Sequence, residues 1–467
     1  MIQRIFSKTN YSACGANFII FDSNGEYQKA FDKINIVNPA IHTNFLSTDL
    51  TGDNNFTMPV WALSVDDWAI LLHASEKTQI PIISRALEII KIFSDKDNSD
   101  ETRKAKNHII SNVALSILSS SDSPPSKSDK IVALFKKYST DPDLKLDTMI
   151  PIEKTQDTGI EKDPSSLPIS ETARSHFGKL IAPASLMTYL QKFIEPKFNS
   201  WCSSNKSTVI YSLQEFKEAI DFAILYEGSI TSNKIFEYAA TLTTRIQHLI
   251  ESDHGKFLIK TNFMSITDYM NDVLGDNQLL NIDISGLDDT STEVVTKVFS
   301  KMLFDYARKL EPRNSKPINL ILEEAHRFIK NEEDYGVLGY NIFERIAKEG
   351  RKFGIHMGIS SQRPSELSKT VVSQCSNFII HRLQNPDDLR YISNMVPYVN
   401  NMIERTSYLP RGHALVFGTT INLPMLTTFT QANPTPNSGN SNITERWYID
   451  NAGENNIITS NSRNLKI

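Results

Sequence analysis

Between residues 276 and 430 short apolar runs alternate with helical patterns, and no other feature limits the possible folds so tightly. The runs are LLNIDISGL (279–287), INLIL (318–322), IHMGIS (355–360) and NFIIHRL (377–383). Between them stand TEVVTKVFSKMLFDYARKL, apolar at every third and fourth position, a helical stretch near 338–352, and a short one around 365–373. Runs this short and this apolar fit strands buried on both faces, and the helices between them supply the crossovers of a parallel sheet. NFIIFD (17–22), followed by the turn SNGEY, reads as one more such strand, and INIVNP (34–39) as a candidate short one. IQRIFSKTN, before it, reads as the last turns of a helix. The fold class is α/β.

The middle of the chain differs. VDDWAILLHA (65–74), IPIISRALEIIKIF (80–93) and SLQEFKEAIDFAILYEG (212–228) carry apolar residues at helical spacing, with Asp66 and Asp67 at a helix start. SSSDSPPSKSDK (119–130) and DPSSLPIS (163–170) read as linkers or exposed loops. The chain therefore divides into a first part of the α/β core (1–59), a mostly helical insertion (60–275, with polar linkers near 119–130 and 155–170), a second core part (276–430) and an extended tail rich in Asn, Ser, Thr and Pro (431–467). A net charge of −5 argues against a generally basic nucleic-acid binder, although basic groups gathered in one channel remain compatible with it. Cys14, Cys202 and Cys375 are too far apart in sequence for a metal-spaced pair or a disulfide framework, so a cytoplasmic setting is expected. No apolar run approaches the roughly 20 residues that span a bilayer.

Ligands of open parallel sheets bind beyond the carboxyl ends of the strands. Three strands here end on polar groups: Asp22, the adjacent Glu323 and Glu324, and Ser360-Ser361-Gln362. An apolar strand closed by two acids is the Walker B pattern. The first acid, Glu323, would hold Mg²⁺ through its waters, because Mg²⁺ prefers oxygen ligands and keeps part of its shell. The second, Glu324, would orient the water that attacks the γ-phosphate of ATP. Adjacent acids also favour the N-terminus of a following helix, which is the structural alternative. Gln362 can bond both that water and the γ-phosphate, or simply satisfy loop backbone. Arg345, Lys348, Arg351 and Lys352 cluster on NIFERIAKEGRKFG, where the helix dipole alone favours cations, or where one arginine reaches a phosphate across a subunit boundary. The phosphate loop G-x-x-x-x-G-K-[ST] is missing from the sequence. Its two Gly-Lys pairs, Gly178-Lys179 and Gly255-Lys256, lack the Ser or Thr and follow no strand.

Taken together, NFIIFDSNGEY, LLNIDISGL, ILEEAHRF, the long segment RIAKEGRKFGIHMGISSQRPSELSKTVVSQCSNFIIHRLQNPDD and LPRGHALVFG resemble the HerA family of hexameric ATPases, relatives of the FtsK DNA pumps. The resemblance spans about residues 1–430 and is weakest across 119–270. It implies a RecA-like, mostly parallel sheet with a large helical insertion. The sheet is incomplete at its N-terminus, because the family's β-barrel and Walker A strand would precede Met1. It also implies ATP and Mg²⁺ as cofactors, Asp22 and Glu26 near the nucleotide with Glu323, Glu324 and Gln362 as catalytic edge, and Arg351, then Arg345, as the arginine acting in trans. The implied assembly is a homo-hexamer around double-stranded DNA, paired with a NurA-type nuclease or, in antiviral defence, a sirtuin-like NADase. The EEAH tetrapeptide alone also matches the helicase DEAH box, but the rest of the chain does not. A non-catalytic ring module that scaffolds an effector is the alternative, and a conjugation motor a third reading.

The 467 residues as they stand offer no Walker A lysine, so the purified chain is expected to turn over ATP negligibly. Phosphate release that disappears in Glu324→Gln would overturn this.

Overall fold

The computed structural model describes residues 1–439 except 9–11, 50, 51, 53, 76, 95–99, 153–164, 197, 199–208, 231–234, 260–262, 264, 331–340 and 396–399. Its centre is a sheet of five strands, β1 (Asn17–Asp22), β2 (Thr43–Ser47), β3 (Leu279–Asp283), β4 (Ile318–Leu322) and β5 (Ile355–Ile359). They run in the order β5-β4-β1-β3-β2 and every pairing is parallel. The alternation seen in the sequence is thus realised as crossovers, and the two halves of the core interleave, with β1 between β3 and β4.

β1 is buried along nearly its whole length and feeds two cores, because successive side chains point to opposite faces. Ile19 and Phe21 enter the main cluster, while Phe18 and Ile20 pack with Phe6 of α1 (Ile2–Phe6), Phe31, Ile34 and Leu279. On the main face, Phe21 meets Phe299 of α8 (Asp289–Lys309) edge to face at 5.5 Å, and Phe56 lies 5.9 Å from the same ring.

Residues 60–275 contain, among other helices, α2 (Val65–Leu71), α3 (Ile80–Ser94), α4 (Asp100–Ser119), α5 (Pro124–Tyr138), α6 (Leu213–Ile230) and α7 (Ile235–Glu251). Ser64 opens α2 with a capping box completed by Asp67, which gives Asp67 a local structural role. Trp68 is fully buried and stacks on Phe216 of α6 at 4.0 Å. The insertion shares one continuous apolar cluster with the sheet, so it is not a separate body.

Four sequence expectations change. INIVNP is a helical turn (Ile34–Val37) rather than a strand, since burying Ile34 beside Phe31 secures only one side chain and leaves Ile36 and Val37 exposed; the next strand is β2. The second half of 119–130 belongs to α5, because Pro124 and Pro125 occupy the first turn, where their missing N–H groups cost nothing. Part of the second linker, Ser166–Thr172, is a short strand and a helical turn, while 155–164 lie outside the described residues. Asn377–Ile380 (β6) does not join the parallel sheet. It pairs antiparallel with β7 (His413–Gly418), which forms a hairpin with β8 (Ile421–Thr428), burying Ile380 against Ile392, Ile403 and Phe417. The tail through residue 439 is extended and returns to the start of the chain, where Gln3 bonds Pro434 O at 2.8 Å and the Asn437 N–H donates to Glu26 O at 2.9 Å.

Phe299 is fully buried between both parts of the core. Phe299→Ala is expected to destabilise the protein by about 3–5 kcal/mol, measured by denaturant titration.

Candidate functional site

The carboxyl ends of β1, β3, β4 and β5 lie side by side, and the polar groups that close them form one edge. In register, Asp22 stands opposite Asp283, and Leu322 lies between Phe21 and Ile359. Two backbone bonds fix the turn after β4 to the end of β5, Ser360 N–H to Leu322 O and Ala325 N–H to Ser360 O, both 2.9 Å.

Asp22 is fully buried and its carboxylate is engaged within the protein. It accepts the backbone N–H groups of Glu26 (3.1 Å) and Tyr27 (2.9 Å) and the Asn281 amide (3.3 Å). Asp22 therefore ties the Ser23–Tyr27 loop over the sheet edge. The loop turns at Gly25, φ +67°, where a Cβ would lie 2.9 Å from Asp283 Oδ2. Glycine is needed there for both the dihedral and the space.

The consequence of that loop is the placement of Tyr27. Its hydroxyl donates to Glu323 Oε1 at 2.6 Å, while the Ser23 N–H donates to Glu323 Oε2 at 3.0 Å. Burial pushes the Glu323 carboxyl above the usual range, and the Asp22 and Glu26 charges add to this, outweighing the two hydrogen bonds that favour the ionised form. Burial, with the bond to Glu323 second, raises Tyr27 far above the ordinary tyrosine range, so it stays a donor. Each Glu323 oxygen keeps a second lone pair for water. That donor set fits a Mg²⁺ held through its own hydration shell rather than chelated directly.

Glu324 adopts a left-handed backbone, φ 47° and ψ 42°. Its Oε1 accepts the Gln362 amide. Its Oε2 is buried, makes no hydrogen bond among the described residues, and lies 3.4 Å from His326 Nδ1. His326 Nδ1 in turn lies 3.1 Å from Ser361 Oγ. The 3₁₀ turn Ala325–Arg327 follows directly, and Arg327 reaches Asp289 at the start of α8 at 2.6 Å.

Of the residues singled out in the sequence, the fold brings Asp22, Glu26, Glu323, Glu324 and Gln362 to one edge. Arg345 and Arg351 lie elsewhere. Arg345 is on α9 (Ile342–Glu349), above the Phe304 ring at 5.1 Å and 3.7 Å from Glu349. Arg351 is exposed in the turn that precedes β5, at the opposite end of a five-residue strand, roughly 3.3 Å per residue away. Neither meets this edge within one chain. Gly178-Lys179 sits in a β-hairpin and Gly255-Lys256 at a 3₁₀ turn. Four participants went unassigned in the sequence: Tyr27, Asp283, Ser361 and His326. Tyr27 stood inside FDSNGEY and Asp283 at the end of LLNID, so their positions were visible, but their partners are about 300 residues away or on another strand.

Fold and edge define the class first: an α/β protein whose mostly parallel sheet carries a polar site at its carboxyl ends. Within that class, parts of the chain are similar to HerA proteins. Residues 1–174 match the family model described as Helicase HerA, central domain. A probable helicase of Methanocaldococcus jannaschii is 32% identical over 202 residues, 43% of this chain and 37% of that protein. The DNA double-strand break repair helicase HerA of Pyrococcus furiosus is 35% identical over 139 residues, 30% of this chain and 23% of that protein. The alignments thus span well under half of either relative. Among solved structures, VirB4 of Thermoanaerobacter pseudethanolicus aligns over 90% of this chain and 83% of its own, with 12% identity and a TM-score of 0.41. Among the described residues no helix is long and apolar enough to cross a membrane.

The Tyr27 hydroxyl stabilises Glu323 most when that carboxylate is ionised. Tyr27→Phe is therefore expected to cost about 1 kcal/mol at pH 8, discounted for partial exposure, and clearly less at pH 4, below the raised Glu323 pKa. Denaturant titrations at the two pH values measure the difference, and an equal loss at both would contradict it.

Proposed function

We propose that this chain is a subunit of a HerA-type, ATP-dependent DNA translocase or helicase, with the β1–β4–β5 edge as its hydrolytic site. The observation that carries this reading is Glu324. A non-glycine residue held left-handed, with one carboxylate oxygen on the Gln362 amide and the other buried 3.4 Å from His326 Nδ1, is a backbone outlier that its surroundings hold in place. A carboxylate held between Gln362 and His326 and still partly exposed suits orienting and deprotonating a water. Glu323, steadied by Tyr27 and Ser23, is the metal-side acid through Mg²⁺-bound water. Gln362 links Glu324 to β5 and so to the rest of the sheet. Asp22 organises the loop that carries Glu26 and Tyr27. When bound, Mg²⁺ neutralises phosphate charge; the residues position the water and the acids around it.

The assembly in this reading is a homo-hexameric ring around double-stranded DNA, in which Arg351 or Arg345 of one subunit serves the site of the next. Their position away from their own edge fits action across a boundary. Native mass spectrometry is expected to show a six-subunit mass, and a monomer alone would overturn the ring. A nuclease or NADase effector is the proposed partner. A second reading, a non-catalytic ring module, is favoured by the fact that both Gly-Lys pairs sit in a hairpin and a turn rather than after a sheet strand.

In an assembly that supplies the phosphate loop, Glu324→Gln is expected to retain ATP binding and to lower hydrolysis about 100-fold or more. Calorimetric ATP binding and phosphate release measure the two. Loss of binding with an intact fold, or unchanged turnover, would remove Glu324 from this role.

A further inference from the structure

One structural feature outside the sheet edge is costly, and its exposed tip packs in no core among the described residues. Ser175–His176 and Lys179–Leu180 form a hairpin, with Ser175 opposite Leu180 and His176 opposite Lys179. The ladder continues below them, Ile181 N–H donating to Arg174 O at 3.0 Å and Ala182 N–H to Thr172 O at 3.1 Å. Thr172, Ala173 and Ala182 at its base are fully buried, and the hairpin packs against α5. The support is therefore rigid.

The tip is Phe177-Gly178, with φ of +43° and +74°. Positive φ at both central residues is the requirement of a type I′ turn, whose first position is ordinarily Asn, Asp or Gly. A bulky side chain there is a backbone outlier. Phe177 is also 93% exposed, so it packs in no core. Among the described residues the aromatic neighbour of its ring is His176, 4.3 Å away and tilted by 59°. Both the strained turn and the exposed ring are unfavourable, and an outlier of this kind points to an external task.

The surroundings indicate the chemistry. His176, Gly178 and Lys179 are exposed beside the ring, and Arg174, also exposed, stands one residue below the ladder. The one carboxylate bonded there, Glu171, accepts from Arg174 at 3.1 Å. An aromatic anchor for a protein pocket sits within an apolar patch ringed by polar groups. Here the exposed neighbours in the hairpin are an imidazole, His176, and an ammonium, Lys179, with the Arg174–Glu171 ion pair below them. A flat π-face with adjacent cations is the arrangement that stacks on a nucleobase and neutralises the neighbouring phosphates.

We propose that the 175–180 hairpin is a DNA-contacting pin, in which Phe177 stacks on an unpaired or terminal base while Lys179 and Arg174 meet the flanking phosphates. The proposal rests on the DNA-translocase reading above and adds where a strand is touched. Stacking of this kind is tolerant of sequence, as a motor that travels along DNA requires.

The test uses the full 467-residue chain and a fluorescein-labelled single-stranded oligonucleotide carrying 5-iodouracil. Long-wavelength irradiation is expected to crosslink the DNA to the tryptic peptide Ser175–Lys179. Phe177→Asn, the residue this turn favours, is expected to leave the thermal midpoint unchanged or raise it, and to weaken single-strand binding roughly tenfold by anisotropy. Phe177→Trp should bind as the parent does. Crosslinks confined to other peptides, or equal affinity for Phe177→Asn and parent, overturn the pin while leaving the translocase reading in place. Absence of single-strand binding by the parent overturns the pin alone when a labelled duplex still binds, and absence of binding to both the single strand and the duplex overturns both readings. Loss of a co-purifying protein in Phe177→Asn with DNA affinity intact makes the tip a protein anchor, and overturns the proposal as well.

Discussion

The buried Asp22 carboxylate is the interaction on which the site depends. A fully buried acid is tolerable only when its lone pairs are filled, and here three backbone N–H groups, of Asn24, Glu26 and Tyr27, and the Asn281 amide fill them. Those same bonds bend Ser23–Tyr27 back across the strand ends. Without that bend Tyr27 would not reach Glu323, and the Ser23 N–H would not face its other oxygen. The carboxylate that looks most like a ligand in sequence thus acts through the loop it holds. The close approach of Gly25 to Asp283 shows how tightly that loop is drawn onto β3.

Much of this was legible beforehand, for definite physical reasons. Buried parallel strands must be apolar on both faces, so NFIIFD, LLNID, INLIL and IHMGI stood out, and the polar residues that end them had to share an edge once the strands paired in one direction. The less legible parts are those where one short apolar run has two equally good solutions. INIV buries a single isoleucine as a turn, and NFII satisfies its apolar face antiparallel to β7. The prolines at 124 and 125 argued for a loop although they also suit the first turn of a helix. His326 was set aside because the EEAH match rested on four residues, yet its ring is one of the few groups near the unpartnered Glu324 oxygen.

The two left-handed residues discussed above differ in what they hold. Glu324 is fixed from both sides, by the backbone bonds between β4 and β5 and by Gln362, so its strain is maintained by the sheet itself. Phe177 is held only by its own hairpin and by the turn geometry. Strain that the surroundings over-determine points to positioned chemistry; strain displayed on a projecting tip points to contact with something outside the chain.

These two places stand on one close-packed body. Phe21 and Leu322, beneath the acidic edge, belong to the same apolar cluster as Ile169 and Ala173, beneath the hairpin, through Phe299 and the Trp68–Phe216 stack. Close-packed interiors resist gradual deformation and transmit displacement. An insertion so joined to the sheet cannot swing freely from it, as a linker-tethered domain would. A change in the spacing of β4 and β5 at the Glu324–Gln362 contact would therefore be felt in the body that carries Phe177, and it is this shared core, more than any single residue, that joins the polar edge to the tip.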